Sequence, residues 1–372
     1  MVAFAAFAHA DSQMLHPVRE EIVEEIKLKA GSWKPKEVHN NKMRHRSPES
    51  IKRSMGHLGV APSVFPTDFL KTMAGTAGNF FKQVASSVGL DSLKNEHFRL
   101  KQKSGDEADK KNKKEKKDSK AKGDKEGDEE ESAEPEVFVD DGSTPPDNGL
   151  PMQFSWREKR PVCLGKIQDQ GECGSCWAFT SAGLLSDRFC IHTDGAVDVR
   201  LSPQEMVNCN YENYGCSGGY LVTSVDYLMV EGGVPEECVP YVDGGNVCSY
   251  RCSDSGFTAY DKYYCKPGTL AIAVTYDEIK RELMNNGPML MGLQIMEDFL
   301  NYEEGIYKHV VGEVVGGHAM KLIGWGYDDE EGLYWELQNQ WTVDWGEAGY
   351  VRIKHGEIGI DSLGIACMPD LI

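Results

Sequence analysis

The sequence predicts an α+β fold of two subdomains, helical first and strand-rich second, preceded by a helical segment that needs a partner surface. Three observations predict it. Composition becomes globular only from Leu150 onward, with helix-like apolar periodicity at first and, after about Phe257, short apolar runs between Gly turns. All 11 cysteines fall at or after Cys163, as in a disulfide-bonded domain from an oxidising compartment. At 372 residues the chain is also longer than one average domain, which runs about 100 to 200 residues. The net charge of -19 argues against nucleic-acid partners, whose phosphates would be repelled.

The elements follow in order. Met1 to Ala10 is apolar and ends Ala8-His9-Ala10, a small-x-small site, and reads as a signal peptide. Residues 11–100 form the helical segment: Val18, Ile22 and Ile26 recur at four-residue spacing, and Ser47-Pro48 opens a second helix carrying Ile51 and Met55. From Val64 to Val88, the residues Phe65, Phe69, Leu70, Phe80, Phe81 and Val84 suit a further docked helix, or a solvated arm with sticky patches. Residues 101–149 are a charged linker; within it Lys101 to Glu136 is low in complexity, basic at Lys110–Lys117 and acidic at Asp128–Glu131, and reads as disordered and open to proteolysis. Residues 150–372 form the folded domain. There Thr275 to Glu278 is a capping box opening a helix through Ile279 and Leu283, ended by Asn286-Gly287-Pro288. Met320–Leu322, Leu333–Leu337 and Tyr350–Ile353 read as strands. Nothing reaches the ~18 apolar residues of a membrane helix, so no membrane insertion is expected.

The most informative run is Gln170-Gly171-Glu172-Cys173-Gly174-Ser175-Cys176-Trp177-Ala178-Phe179, a loop feeding a helix that continues through Leu184, Leu185 and Phe189. A cysteine in the first helical turn meets unpaired amides and the positive end of the helix dipole, which favour thiolate and hence a nucleophile. Cys-x-x-Cys also suits a redox pair or half a zinc site; the former wants a surrounding βαβ pattern and the latter a second ligand pair, and neither is found. His318 lies in Gly316-Gly317-His318-Ala319-Met320, 142 residues beyond Cys176. Asn339 follows in Gln338-Asn339-Gln340-Trp341, where an amide can fix an imidazole's tautomer and an indole can exclude water. The cysteine count is odd, so full pairing leaves one thiol over.

From Leu150 to Leu363 these segments closely resemble the papain family of cysteine peptidases, whose nucleophile lies in Cys-Gly-Ser-Cys-Trp-type sequences. The resemblance implies the papain-like two-domain fold, a helical left domain and a β-barrel-like right domain behind an N-terminal helical propeptide. It implies that Cys176 attacks the scissile carbonyl, that His318 shares its proton, that Asn339 orients His318, and that Gln170 belongs to the oxyanion hole. Cys216-Ser217-Gly218-Gly219 is similar to the loop that binds substrate backbone, so Gly218 and Gly219, with Trp341 and Leu363, are carried over as substrate-contacting positions.

Ser186 to Thr193 and Asn301 to Tyr307 are similar to the cathepsin B branch, as are Ala30 to Lys34 and Ile51 to Gly56 to its propeptide, a segment that runs through the cleft and blocks it. The resemblance pairs Cys163 with Cys190, Cys173 with Cys216, Cys209 with Cys248, Cys238 with Cys252 and Cys265 with Cys367, leaving Cys176 free. Cathepsin B owes its dipeptidyl carboxypeptidase activity to an occluding loop bearing histidines; the matching interval, Val239 to Val247, is short and has none, which implies an endopeptidase. Leu363 matches the floor of the S2 pocket and implies a hydrophobic P2 side chain. Ser155, Gln340 and Ile358 depart from the family pattern, and bulky Gln340 beside the His318–Asn339 pair implies reduced activity. The expected protein is a monomer in the secretory pathway, in lysosome or acidic vesicle or outside the cell, acting on polypeptide substrates, inhibited by its own propeptide, and needing no cofactor or metal. The rival reading is a catalytically impaired papain-fold binding or matrix protein.

Overall fold

Helix α1 (Glu20–Lys29) buries Ile22, Val23 and Ile26 along one face, with Glu20 and Glu21 at its start and Lys27 and Lys29 at its end matching the helix dipole. It belongs to a computed structural model that describes residues 15–56, 149–249, 252 and 261–371. The apolar start at Met1–Ala10, the Phe-rich stretch Val64–Val88 and the charged run Lys101–Glu136 lie outside the described residues. The chain divides into two units, Met1–Phe65 with Gly142–Ile372, and Pro66–Asp141, the second wholly outside that description.

After α1 come a short strand β1 (Trp33–Pro35) and helix α2 (Pro48–Arg53). Helix α2 starts at Ser47, whose hydroxyl accepts from the Ser50 amide at 3.1 Å, with Pro48 at the position where a missing N–H costs nothing. The helical lobe follows the short β2 (Phe154–Ser155) and α3 (Trp156–Lys159). It comprises α4 (Cys176–His192), α5 (Pro203–Cys209) and α6 (Leu221–Val230). Helix α4 is buried on nearly every side, as befits a central element.

The second lobe is the strand-rich one. It contains β3 (Ala271–Ala273), α7 (Tyr276–Asn286), β4 (Met289–Met296), β5 (Tyr302–Tyr307), β6 (Val314–Asp328), β7 (Gly332–Gln338), β8 (Tyr350–Lys354) and β9 (Gly364–Ala366). The Thr275–Glu278 capping box at the start of α7 is reciprocal, and Gly287 follows its end. Together with β1 the strands run in the order β1-β5-β8-β7-β6-β4-β9-β3, with β2 also on β6; β5 and β8 are parallel. Strand β6 is far longer than the Met320–Leu322 core visible in the sequence, and its Gly316, Gly324 and Gly326 accommodate close neighbours, Met55, Phe154 and Tyr334.

The lobes are fastened through buried charge. Asp187 on α4 pairs with Lys321 on β6 and with Arg200 at 3.0 Å, and accepts from the Gly165 amide at 3.0 Å. Burial raises the Asp187 pKa and lowers that of Lys321, while their mutual attraction opposes both shifts. Arg188, fully buried, donates to the carbonyls of Gly287, Pro288 and Cys367. Helix α4 therefore has a fixed register against β6.

The N-terminal segment joins the sheet directly. Strand β1 pairs antiparallel with β5, Trp33 opposite Gly305. Gly305 has φ +106°, and a Cβ there would strike Ser32 and Trp33. Trp33 is 3% exposed, lies against Tyr302 and Tyr307 at 6.0 and 5.1 Å between centroids, and donates to the Lys308 carbonyl at 2.9 Å. Burying one such side chain stabilises the docked segment by roughly 1.5–3 kcal/mol. No described helix is long and apolar enough to cross a membrane.

Candidate active site

Cys176 is the first residue of α4, with Ser175 at the N-cap. The loop before it is held at three points. The Gln170 amide donates to the Gln340 carbonyl at 3.0 Å, the Cys173–Cys216 disulfide ties the loop to residues 215–219, and the Gly174 amide donates to the Cys216 carbonyl at 2.9 Å. Across the lobe boundary, β6 carries His318, which is fully buried. Its Nε2 lies 2.9 Å from Asn339 Oδ1, and the Trp341 ring stacks on the imidazole at 4.6 Å and 27°. A hydrogen bond from the Ala319 backbone reaches the Cys176 thiol, so the residue after His318 touches the sulfur. Trp341 is 3% exposed, with its face against His318.

The N-terminal segment fills the cleft between these groups. The Ser54 carbonyl accepts from Gln170 Nε2 at 2.7 Å, the place where an oxyanion would seek a donor. The Gly219 amide donates to the Gly56 carbonyl at 2.7 Å, Met55 packs on Gly316, and a Cβ on Gly56 would collide with the Gly174 backbone. Arg53 and Glu172 pair at 3.4 Å, both exposed, which is worth little.

Position at the helix start favours a thiolate, yet burial pushes the Cys176 thiol up to about 12, against the backbone hydrogen bonds from Ala319, Gly56 and Trp177 that lower it. With Cys176 wholly out of solvent, desolvation is the largest influence on the thiol and opposes the helix dipole.

Ten cysteines form five bonds, Cys163–Cys190, Cys173–Cys216, Cys209–Cys248, Cys238–Cys252 and Cys265–Cys367, and Cys176 is the free one. Gly218 and Gly219 border the cleft, Gly219 through its bond to Gly56. Leu363 is half-buried just before β9. Among the described residues no group of His, Cys, Asp or Glu is arranged to hold a metal ion.

Two functional-looking residues carried no signal in the sequence. Tyr241 donates to the Gln170 carbonyl at 2.8 Å and meets the Ser175 hydroxyl at 2.8 Å. Asp243 accepts from the amides of Glu172 and Cys173 at 2.9 and 3.1 Å. Both come from the short Val239–Val247 interval, some 70 residues from the loop they hold, so nothing local points to them. Gln204 pins the same interval from α5, through Gly244 at 2.7 Å and Val242 at 2.9 Å.

A cavity of about 680 Å³ is lined by Asp187, Lys321, Asn339 and Glu236 among others. Burial raises the Glu236 pKa from 4.5 to about 7, partly countered by the Tyr241 amide that donates to it. Between these values the folded state holds a proton that the unfolded state has released, so stability contributed at this site falls as pH rises. The unfolding midpoint of wild type relative to Glu236→Gln is therefore expected to decline from pH 4.5 to about 7. A difference that is flat or rises with pH would contradict this.

Residues 150–368 match the family model described as papain family cysteine protease. The chain is 35% identical over 218 residues to cathepsin B-like CP2 of Giardia intestinalis, covering 56% of this chain and 70% of that protein. It is 36% identical over 257 residues to cathepsin B-like cysteine proteinase 4 of Caenorhabditis elegans, covering 59% and 76%. In fold it is similar to procathepsin B S9 from Trypanosoma congolense, with a TM-score of 0.68 over 96% of this chain and 100% of that one, at 24% identity. It is also similar to the ragweed pollen cysteine protease Amb a 11 in its proform, TM-score 0.51 at 26% identity, covering 59% and 65%.

Proposed function

Because this chain belongs to the papain family of cysteine proteases, as a cathepsin B-like cysteine peptidase made as a zymogen, we propose that Cys176 is its nucleophile and His318 its acid and base. The observation that carries the assignment is the Ser54 carbonyl hydrogen-bonded to Gln170 beside the buried Cys176, which marks where a substrate carbonyl would lie.

The geometry supports the following course. With the cleft open, His318 Nδ1 takes the Cys176 proton while Nε2 stays engaged by Asn339. The thiolate attacks the scissile carbonyl carbon, and the C=O electron pair moves to oxygen, where Gln170 Nε2 and the Cys176 amide donate to it. The C–N bond breaks as the electrons return, and imidazolium protonates the leaving amine. Water, deprotonated by His318, then attacks the thioester and frees the acid and Cys176. Gly218 and Gly219 would hold the backbone of an extended substrate, as Gly219 holds Gly56. Trp341 contributes mainly by covering the imidazole.

The interval Val239–Val247 supports an endopeptidase, since Tyr241, Asp243 and Gly244 are anchored on the nucleophile loop and on α5. Leu363 supports an apolar P2 pocket, in which an unpaired guanidinium would be penalised, so leucine at P2 is expected to exceed arginine in kcat/KM by at least about tenfold. A peptide panel with products read by mass spectrometry checks both points. Free C-terminal dipeptides as the main products would overturn the endopeptidase assignment, and equal rates with arginine at P2 would overturn the pocket. A binding or matrix role without catalysis is not favoured, because Cys176, His318, Asn339 and Gln170 are all present and together. The secretory-route location and maturation within residues 57–148 belong to this proposal, motivated by the disulfides and by the charged linker.

A further inference from the structure

We infer that Gln340 is a positioning residue that fixes which end of the Gln170 amide faces the cleft, an inference that rests on the peptidase reading above. A side-chain amide turned by 180° keeps its shape but exchanges donor for acceptor. An oxygen in place of the Gln170 NH2 would repel a developing oxyanion, so the reaction needs one of the two orientations.

A chain of hydrogen bonds selects that orientation. The Ala319 carbonyl can only accept, and Gln340 Nε2 donates to it at 2.9 Å, which determines the Gln340 amide. The same Nε2 donates to Gln170 Oε1 at 3.1 Å, so the oxygen of Gln170 is turned away from the cleft. Gln170 Nε2 is thereby left pointing at the Ser54 carbonyl, 2.7 Å away, and at the Cys173 carbonyl, 2.9 Å away. Gln340 is 5% exposed and Gln170 fully buried, so no water competes strongly for these groups. The main chain reinforces the link: the Gln170 amide donates to the Gln340 carbonyl at 3.0 Å, and the Gln340 amide donates to Asn339 Oδ1 at 2.9 Å. Gln340 Nε2 also lies 3.4 Å from His318 Nε2. One residue thus touches both the oxyanion donor and the imidazole's anchor.

The test uses mature enzyme after release of the N-terminal segment. Gln340→Met keeps the length and removes both donors. Turnover of an internally cleaved peptide and the rate of alkylation by iodoacetamide, which forms no oxyanion, are measured side by side. Loss of Gln170 itself, as Gln170→Ala, is expected to lower kcat about 100-fold. Gln340→Met is expected to lower kcat about tenfold with KM nearly unchanged, since Cys173 still holds one end of Gln170. Added to Gln170→Ala, Gln340→Met should cost less than about twofold more, the coupling expected of residues acting as a unit. Alkylation should stay within about twofold in every variant. Equal losses in both backgrounds, a parallel fall in alkylation, or no loss of kcat would each overturn the inference. If Gln340→Met does not fold, Gln340→Leu carries the same readings. A wild type that neither cleaves peptides nor is alkylated at Cys176 would instead overturn the peptidase reading, and this inference with it.

Discussion

Cys176→Ala abolishes peptide hydrolysis in the processed enzyme, with kcat falling by a factor on the order of 10⁵–10⁶, the scale seen when a nucleophile is removed from an otherwise intact site. No other group can replace it, because the remaining cysteines are all in disulfides. The fold should survive, since losing one sulfur from the first turn of α4 leaves the Asp187–Lys321 pair and the Arg188 contacts between the lobes in place. Steady-state turnover beside an unfolding curve checks both halves. Residual activity above about one part in a thousand of wild type would show that Cys176 is not the nucleophile.

Gly56→Val releases latent activity in the uncut chain. A side chain at this position meets the Gly174 backbone, which the Cys173–Cys216 disulfide and the bond to the Cys216 carbonyl prevent from yielding. The segment must therefore back out of the cleft, losing the Gly56–Gly219 and Ser54–Gln170 hydrogen bonds and the Met55 contact with Gly316. With two hydrogen bonds at about 1 kcal/mol each and an apolar contact of similar size, masking weakens by roughly 3 kcal/mol, about 100-fold. Strand β1 and Trp33 remain docked on β5, so the segment stays attached while its tip is displaced. Hydrolysis by intact chain, with integrity verified by mass, is expected to rise by about that factor. Unchanged latency would mean that residues 54–56 do not mask the site.

How much of this was legible depends on distance along the chain. The nucleophile loop and its helix are local, so Gln170 to Phe179 announces them, as does the Thr275–Glu278 cap. His318 and Asn339 are remote from Cys176 but carry their own short patterns, which is why the proposed catalytic set could be named before its geometry was known. Strand β1 could not be read, since Trp33-Lys34-Pro35 acquires its conformation only by pairing with β5 some 270 residues away. The full length of β6 could not be read because the role of its glycines, admitting Met55, Phe154 and Tyr334, is tertiary. Asp243 and Tyr241 are ordinary loop residues until the fold places them on the nucleophile loop. The desolvation of Cys176 escaped for the same reason: the helix dipole is visible in sequence, whereas the burial that opposes it is set by tertiary packing.

Active-site titration with an epoxide that alkylates nucleophilic thiols tests the account most directly. In the intact chain Cys176 is buried, with its thiol pKa raised by desolvation, and labelling should be slow and far below stoichiometric. After the N-terminal segment is removed at acid pH, one equivalent should bind, at Cys176 alone, in step with the gain of peptidase activity, and none in Cys176→Ala. Equal labelling before and after removal would contradict the masking, and failure to label the processed enzyme at Cys176 would contradict the nucleophile.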